Sequence, residues 1–236
     1  MDPDTAIGGA GDRFPSTQVS LLEAASAGGA LTAAAMEQIA ALYWKPVYRF
    51  VRFKFRRSNE DAKDLTQSFF AYAIQREFFQ RFDPGRASFR TYVRMAVERF
   101  AANEYAAAGR LKRGGGVELE AVGEYAASVE SPEELFEQEW RRQLFALALD
   151  DLRDECERAG KQTHWAVFEA YDLAEGERPG YAELGTRHAI PHTQVTNYLA
   201  WARRTLRALV ENRLRGVTSG SRELRDELRH LGAATP

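Results

Sequence analysis

Apolar residues recur at intervals of three and four along most of the chain, the period of helices with one buried face. Ile39, Leu42, Tyr43, Val47, Phe50 and Val51 form one stripe and predict a helix over 31–57. Pro46, which has no N–H to donate, should kink or split it. A second helix after Ser58-Asn59 places Ala62, Leu65, Phe69 and Ala73 on one side. Phe82-Asp83-Pro84-Gly85 reads as a turn and Ser88 as a cap, followed by a third stripe of Phe89, Val93, Ala96 and Phe100 that ends near Gly109. Gly114-Gly115-Gly116 breaks the pattern, and roughly 114–131 reads as a flexible linker. Ser131-Pro132-Glu133-Glu134 combines an N-cap, a proline in the first turn and capping-box acids. The helix it opens turns Leu135, Phe136, Trp140, Leu144, Leu147 and Leu152 inward. Further helices are predicted at about 162–174, 180–188 and 192–213, and Leu224, Leu228 and Leu231 mark a last stripe within Ser219–Leu231. Val, Ile and Thr nowhere alternate over strand lengths. The expectation is an all-α chain of two small helical units, 28–113 and 132–215, joined by the linker 114–131. A tail, 1–27, precedes them and a helical extension, 216–236, follows.

Composition narrows the function classes. The 236 residues are 44% hydrophobic and 28% charged, ordinary for a chain that buries a core. Arg, Glu or Asp interrupts nearly every apolar stretch, so no membrane span is expected, and the acidic start lacks the segments of a signal peptide. Cys156 is the only cysteine, which excludes an internal disulfide and a multi-cysteine zinc site. A cytoplasmic protein without cofactor or metal is expected. Net charge is only −2, but its distribution is uneven. Lys45, Arg49, Arg52, Lys54, Arg56 and Arg57 form one basic run, with Arg110, Lys112 and Arg113 a second. Arg203, Arg204, Arg207, Arg213 and Arg215 make a third. An acidic block from Glu118 to Glu139 lies between, a layout that suits two DNA-contacting modules.

The sharpest motif is residues 181–200, whose spacing is that of a helix-turn-helix. Leu184, Ile190, Val195 and Tyr198 lock two short helices, Gly185 is small where they approach, Ala189 sits in the turn, and Pro191 opens the second helix. His192, Thr193, Gln194, Thr196 and Asn197 then occupy the leading turns of a recognition helix, suited to base edges, with Arg203 and Arg204 placed for phosphates. A plain helical hairpin with solvated polar residues has the same pattern. His188 and His192 stand four apart, but Pro191 between them and the lack of a third ligand favour turn histidines over a metal site.

Two other constellations carry chemistry. Asp61, Asp64, Gln67 and Ser68 share a polar face of the second helix, either solvated or protein-binding, with no histidine or glycine loop to make it catalytic. Along the third helix, Tyr92, Arg94, Arg99, Asn103, Tyr105 and Arg110 interleave rings and cations, as single-stranded DNA requires.

In their order these pieces resemble the extracytoplasmic-function (ECF) group of the sigma-70 family of RNA polymerase sigma factors. Asn59 through Phe70 is similar to that family's acidic core-binding signature, Phe82 through Arg113 to the segment that melts and reads the −10 element, and 181–207 to the helix-turn-helix that reads the −35 element. Phe14-Pro15-Ser16-Thr17, Lys112-Arg113-Gly114-Gly115-Gly116 and Glu223 through Leu231 resemble one branch, common in planctomycetes and acidobacteria. Departures are Lys63 and Ser68 where acids are usual, Phe89 for Trp, and Asn103 for Asp.

The resemblance implies a sigma factor and not an enzyme. Core polymerase would dock on Asp61, Asp64, Leu65, Gln67 and Phe69. Promoter −10 DNA would meet Tyr92, Arg94, Arg99, Asn103, Tyr105, Arg110, Lys112 and Arg113. The −35 duplex would meet His192, Thr193, Gln194, Thr196, Asn197, Arg203 and Arg204. It also implies that 28–113 is sigma domain 2 and 132–215 sigma domain 4, with the linker threading toward the RNA channel. An anti-sigma factor or a Ser/Thr kinase is the implied regulator, with Thr66 or Ser68 as phosphate acceptor. The extension is read either as a brake across one domain or as an addition to the last bundle. A stand-alone helix-turn-helix regulator is the alternative to the sigma reading.

Overall fold

The computed structural model describes residues 21–27, 30–75, 78–79, 81–111 and 131–232, and among them all regular structure is helical. The helices are α1 (Leu21–Ala27), α2 (Ala30–Lys54), α3 (Asn59–Gln75), α4 (Phe89–Leu111), α5 (Pro132–Arg158), α6 (Gln162–Asp172), α7 (Tyr181–Arg187), α8 (His192–Gly216) and α9 (Ser221–Gly232). The first 20 residues of the expected tail, the linker from 112 to 130, and with it Lys112 and Arg113, lie outside the described residues. No described helix is long and apolar enough to cross a membrane.

Local chemistry sets the helix ends. Ser58 Oγ accepts from the Asp61 amide at 3.2 Å and starts α3, while Ser88 Oγ accepts from the Thr91 amide at 3.3 Å at the start of α4. Ser131 caps α5 through the Glu134 amide at 3.1 Å, with Pro132 as the first helical residue. Pro46 does not split α2, which runs unbroken to Lys54; beyond it the chain turns through Arg56 in the left-handed region (φ 50°). At the other end of the chain, Pro191 is the N-cap of α8 and not its first residue, its carbonyl accepting from the Gln194 amide at 2.8 Å.

Two hydrophobic cores result. The first joins Ile39, Tyr43, Val47 and Phe50 of α2 to Phe69 and Ala73 of α3 and to Phe89, Val93 and Val97 of α4. Phe136, Trp140, Leu144 and Ala148 of α5, Val210 and Leu214 of α8, and Leu224 and Leu231 of α9 complete it. Leu22, Ala24 and Ala25 of α1, which the sequence had assigned to the tail, are buried there too. The second core holds Leu152 and Cys156 of α5, Val167 and Phe168 of α6, Leu184 of α7, and Val195, Leu199 and Ala202 of α8. The cores therefore do not divide at the linker: the early helices bury their apolar faces against α5 and α9, from beyond it. Cys156 is fully buried, and burial raises its thiol pKa.

Candidate nucleic-acid and protein interfaces

Four polar residues of α3, Asp61, Asp64, Gln67 and Ser68, are exposed on one side. Phe69, expected on the same docking face, points the other way: it is 2% exposed and meets Phe70, Phe78 and Phe100 edge-on. Leu65 is half-buried against the first core. Of the residues expected to dock polymerase, Asp61, Asp64 and Gln67 are thus exposed together, Leu65 lies at their border and Phe69 is internal. Thr66 is also internal, fully buried with Oγ1 donating to the Ala62 carbonyl at 2.7 Å, so a kinase could not reach it without unfolding α3. Ser68 remains accessible.

Between the end of α3, the following loop and the outer face of α4 lies a cavity of about 490 Å³. Tyr72, Phe78, Tyr92 and Phe100 supply rings, Arg81 and Arg99 cations, and Asn103 an amide, with Met95, Ala96 and Glu104 completing the wall. The Tyr92 ring stacks on Phe78 at 4.6 Å and its hydroxyl donates to the Phe78 carbonyl at 2.9 Å, so both rings are fixed before any ligand arrives. Burial pushes the Tyr92 hydroxyl pKa up, while Arg81 and Arg99 pull it down. Tyr72 and Met95 are exposed at the rim. Planar rings beside two guanidinium groups match an unstacked base and its phosphate, an arrangement in which each stacked base contributes roughly 1–3 kcal/mol.

Of the expected −10 residues, Tyr92, Arg99 and Asn103 meet at this cavity and two do not. Arg94 lies on another side of α4, half-buried and 3.5 Å from Glu133 of α5. Tyr105 is half-buried, tilted against Phe55, with the Arg57 guanidinium 3.7 Å above its ring. Arg110 lies on α4, and its side chain lies outside the described residues. Met95 was legible as the i−4 neighbour of Arg99 on one helix face. Tyr72, Phe78 and Arg81 enter through packing of α3 and its loop on α4, which no spacing along the chain announces.

The helix-turn-helix is α7, the turn 188–190, and the start of α8. Ala189 takes the left-handed conformation (φ 52°), and the Ile190 amide donates to the Gly185 carbonyl at 2.9 Å. A Cβ on Gly185 would lie 2.9 Å from the Ile190 carbonyl oxygen and 3.3 Å from the His192 nitrogen. Only glycine fits this crossing without moving backbone. His192, Thr193, Gln194, Thr196 and Asn197 are all exposed on the leading turns of α8. Gln194 is held in place, since Oε1 accepts from the Tyr198 hydroxyl at 3.1 Å and His164 stacks on that ring at 3.7 Å.

Arg203 is already engaged. Its Nε and Nη2 donate to both oxygens of Asp172 at 2.8 Å, and its guanidinium lies 5.7 Å from the Tyr171 ring. It therefore ties α6 to α8, while Arg204, the other arginine expected at phosphates, is exposed. Among the described residues no group of three or more His, Cys, Asp or Glu is placed to hold a metal ion. No protein-family model, curated protein or solved structure matches this chain.

Proposed function

We propose that this chain is a cytoplasmic sigma factor of the extracytoplasmic-function type, which binds core RNA polymerase and directs it to promoters. The observation that carries the reading is the ring-lined cavity between α3 and α4, with Arg81, Arg99 and Asn103 at its walls. A firmly stacked pair of rings beside exposed cations suits a flipped base; extracting one from the duplex costs a few kcal/mol that such contacts offset. The exposed carboxylates of α3 lie on the element that also supplies Tyr72 to that cavity, so polymerase docked there would bring melted DNA to it. Gln194 and Asn197 at the front of α8 supply the groups for reading a −35 duplex in the major groove.

The test is capture of core polymerase by the full chain without DNA. A sigma factor binds it, and Asp61→Lys with Asp64→Lys abolishes the capture while the circular dichroism spectrum stays native. Failure of the unaltered chain to capture core polymerase, with retained duplex binding, would leave a stand-alone helix-turn-helix regulator.

A further inference from the structure

The front of α8 is backed by rings that α6 and α8 share. Gln194 and Tyr198 stand one turn apart on α8, and the Tyr198 hydroxyl donates to Gln194 Oε1 at 3.1 Å. The Tyr198 ring is itself held. His164, in the first turn of α6, lies flat against it, with centroids 3.7 Å apart and 16° between the planes. Trp201 meets the same imidazole edge-on at 5.2 Å, and the Lys161 ammonium lies 4.0 Å over the Trp201 ring. At the base of the pair, the Gln194 amide donates to the Pro191 carbonyl and Val195 beside it is fully buried, so the backbone that carries Gln194 is fixed too.

An amide side chain carries its oxygen and its NH2 on opposite sides of one carbon, so fixing one end fixes the other. With Oε1 held toward Tyr198, the NH2 of Gln194 is the end left for a ligand, and it has no partner among the described residues. Asn197, exposed on the same front, has neither end engaged among them. In the major groove this difference selects a base. Adenine shows an acceptor, N7, beside a donor, the N6 amino group, whereas guanine shows two acceptors, N7 and O6. An amide with both ends available pairs bidentately with adenine. One whose oxygen is taken meets both acceptors of guanine with its NH2, but leaves the adenine amino group without its acceptor, which costs binding.

We propose that Tyr198 is a positioning residue for base reading: by occupying Gln194 Oε1 it makes this glutamine select guanine where an unheld glutamine would select adenine. The proposal rests on the duplex-reading part of the function above and names the base preference of that site. It holds equally for a sigma factor and for a stand-alone regulator. The stack on His164 is what makes the hydroxyl selective, because a phenol free to swing would follow the amide to either base. Asn197, with no such hold, keeps the adenine preference, so the two amides on one helix read different bases.

In the experiment, duplexes randomised over about ten base pairs, one turn of DNA, are selected by the full chain, both alone and with core polymerase. The base pair whose preference Gln194→Ala flattens marks the Gln194 contact, and Asn197→Ala marks its own in the same way. At the first, the unaltered chain should favour guanine over adenine on the contacted strand. Tyr198→Phe removes only the hydroxyl and keeps a ring against His164. It should lower the guanine-to-adenine ratio there by roughly tenfold and leave the Asn197 base pair as it was. Added to Gln194→Ala, Tyr198→Phe should change base preference no further, because the hydroxyl acts only through the amide.

An adenine preference at the Gln194 base pair, an unchanged ratio in Tyr198→Phe, or a Gln194→Ala chain that keeps every preference would each overturn the proposal. So would a loss in Tyr198→Phe spread evenly over all duplexes, which would make the hydroxyl a phosphate contact or a support for α8. All four leave the helix-turn-helix reading in place, since a preferred sequence is still returned. A pool that returns none, with polymerase and without it, would end that reading and the proposal together. Core-polymerase capture is scored separately: a chain that selects duplexes but never captures polymerase keeps the guanine preference and loses the sigma reading.

Discussion

The two long helices α5 and α8 each pass from one core into the other, yet the cores they feed are organised differently. Around Leu152, Cys156, Leu199 and Ala202 the second core draws, among the described residues, only on those between 149 and 209, so the helix-turn-helix rests on neighbours close in sequence. Around Phe136, Trp140, Val210 and Leu214 the first core gathers side chains from Leu22 to Leu231. Its polar seam is built the same way, since the carboxylates on Lys54, Arg90 and Arg94 come from 39 to 137 residues away. A surface on the second core can therefore be fixed by local sequence alone. One on the first core stays conditional on how the two ends of the chain meet.

The largest effect that would break this contrast is in the cores themselves. Trp140 is 1% exposed and carries the stacked Arg90, so Trp140→Ala should cost about 3–5 kcal/mol and loosen α9 together with α4. Leu184→Ala, in the second core, should cost roughly 2–5 kcal/mol and melt α7 while the first core stays folded. Urea unfolding followed by far-ultraviolet circular dichroism and hydrogen exchange separates the two. If both variants shift one common transition with the same amides exposed, the cores are a single cooperative unit and the contrast fails.

Gly185→Ala probes the second core without emptying it. The added methyl meets backbone at 2.9 Å, which cannot rotate away, so roughly 1–3 kcal/mol of strain should fall on the α7–α8 crossing. Duplex binding should weaken and oligo-dT binding should not. Equal loss of both would mean that the crossing supports the α4 cavity as well.

At the front of α8, Gln194→Ala and Asn197→Ala should each reduce discrimination between a preferred −35 duplex and a scrambled one by ~1–3 kcal/mol, with little effect on stability because both are exposed. Competition binding with the two duplexes measures it. Proportionate loss on both would remove these residues from base reading.

Legibility in the sequence follows the same division. The helix-turn-helix was readable almost residue by residue, because Gly185, Ala189 and Pro191 are local backbone requirements and Leu184 and Val195 a local apolar lock. On α3, Ala62, Phe69 and Ala73 are buried and Leu65 packs half-buried against the core as their spacing predicts, while Thr66 joins them because its hydroxyl bonds back to Ala62 and then buries as an apolar group would. Phe69, expected among the docking residues, is core instead, and Phe70 beside it is buried as well. The spacing of Arg90, Arg94, Glu133 and Glu137 is a helical i,i+4 pattern in each segment, but only the fold shows that the rows face one another. The same holds for Phe78 and Arg81 at the cavity. In each case the missing information was a contact between distant segments.

The smallest effect concerns Arg203, where local pattern and observed geometry give opposite answers. A phosphate-contacting arginine lost to alanine weakens binding to every duplex alike and lowers the salt slope by about one. An arginine held by Asp172 does something else: its loss frees α6 from α8 and shifts stability, and Asp172→Ala should reproduce it. The pair is half-exposed on the arginine side, at 47%, so screening by water limits its contribution to under about 1 kcal/mol despite the bidentate geometry. In a double-mutant cycle on stability, Arg203→Ala, Asp172→Ala and the double variant should therefore be nearly equal, because each single change already removes the whole interaction. Duplex affinity of Arg203→Ala should fall only slightly, with an unchanged salt slope. A salt slope lower by about one, together with additive stability changes, would return Arg203 to the phosphate. Asp172 would then be a resting partner displaced by DNA.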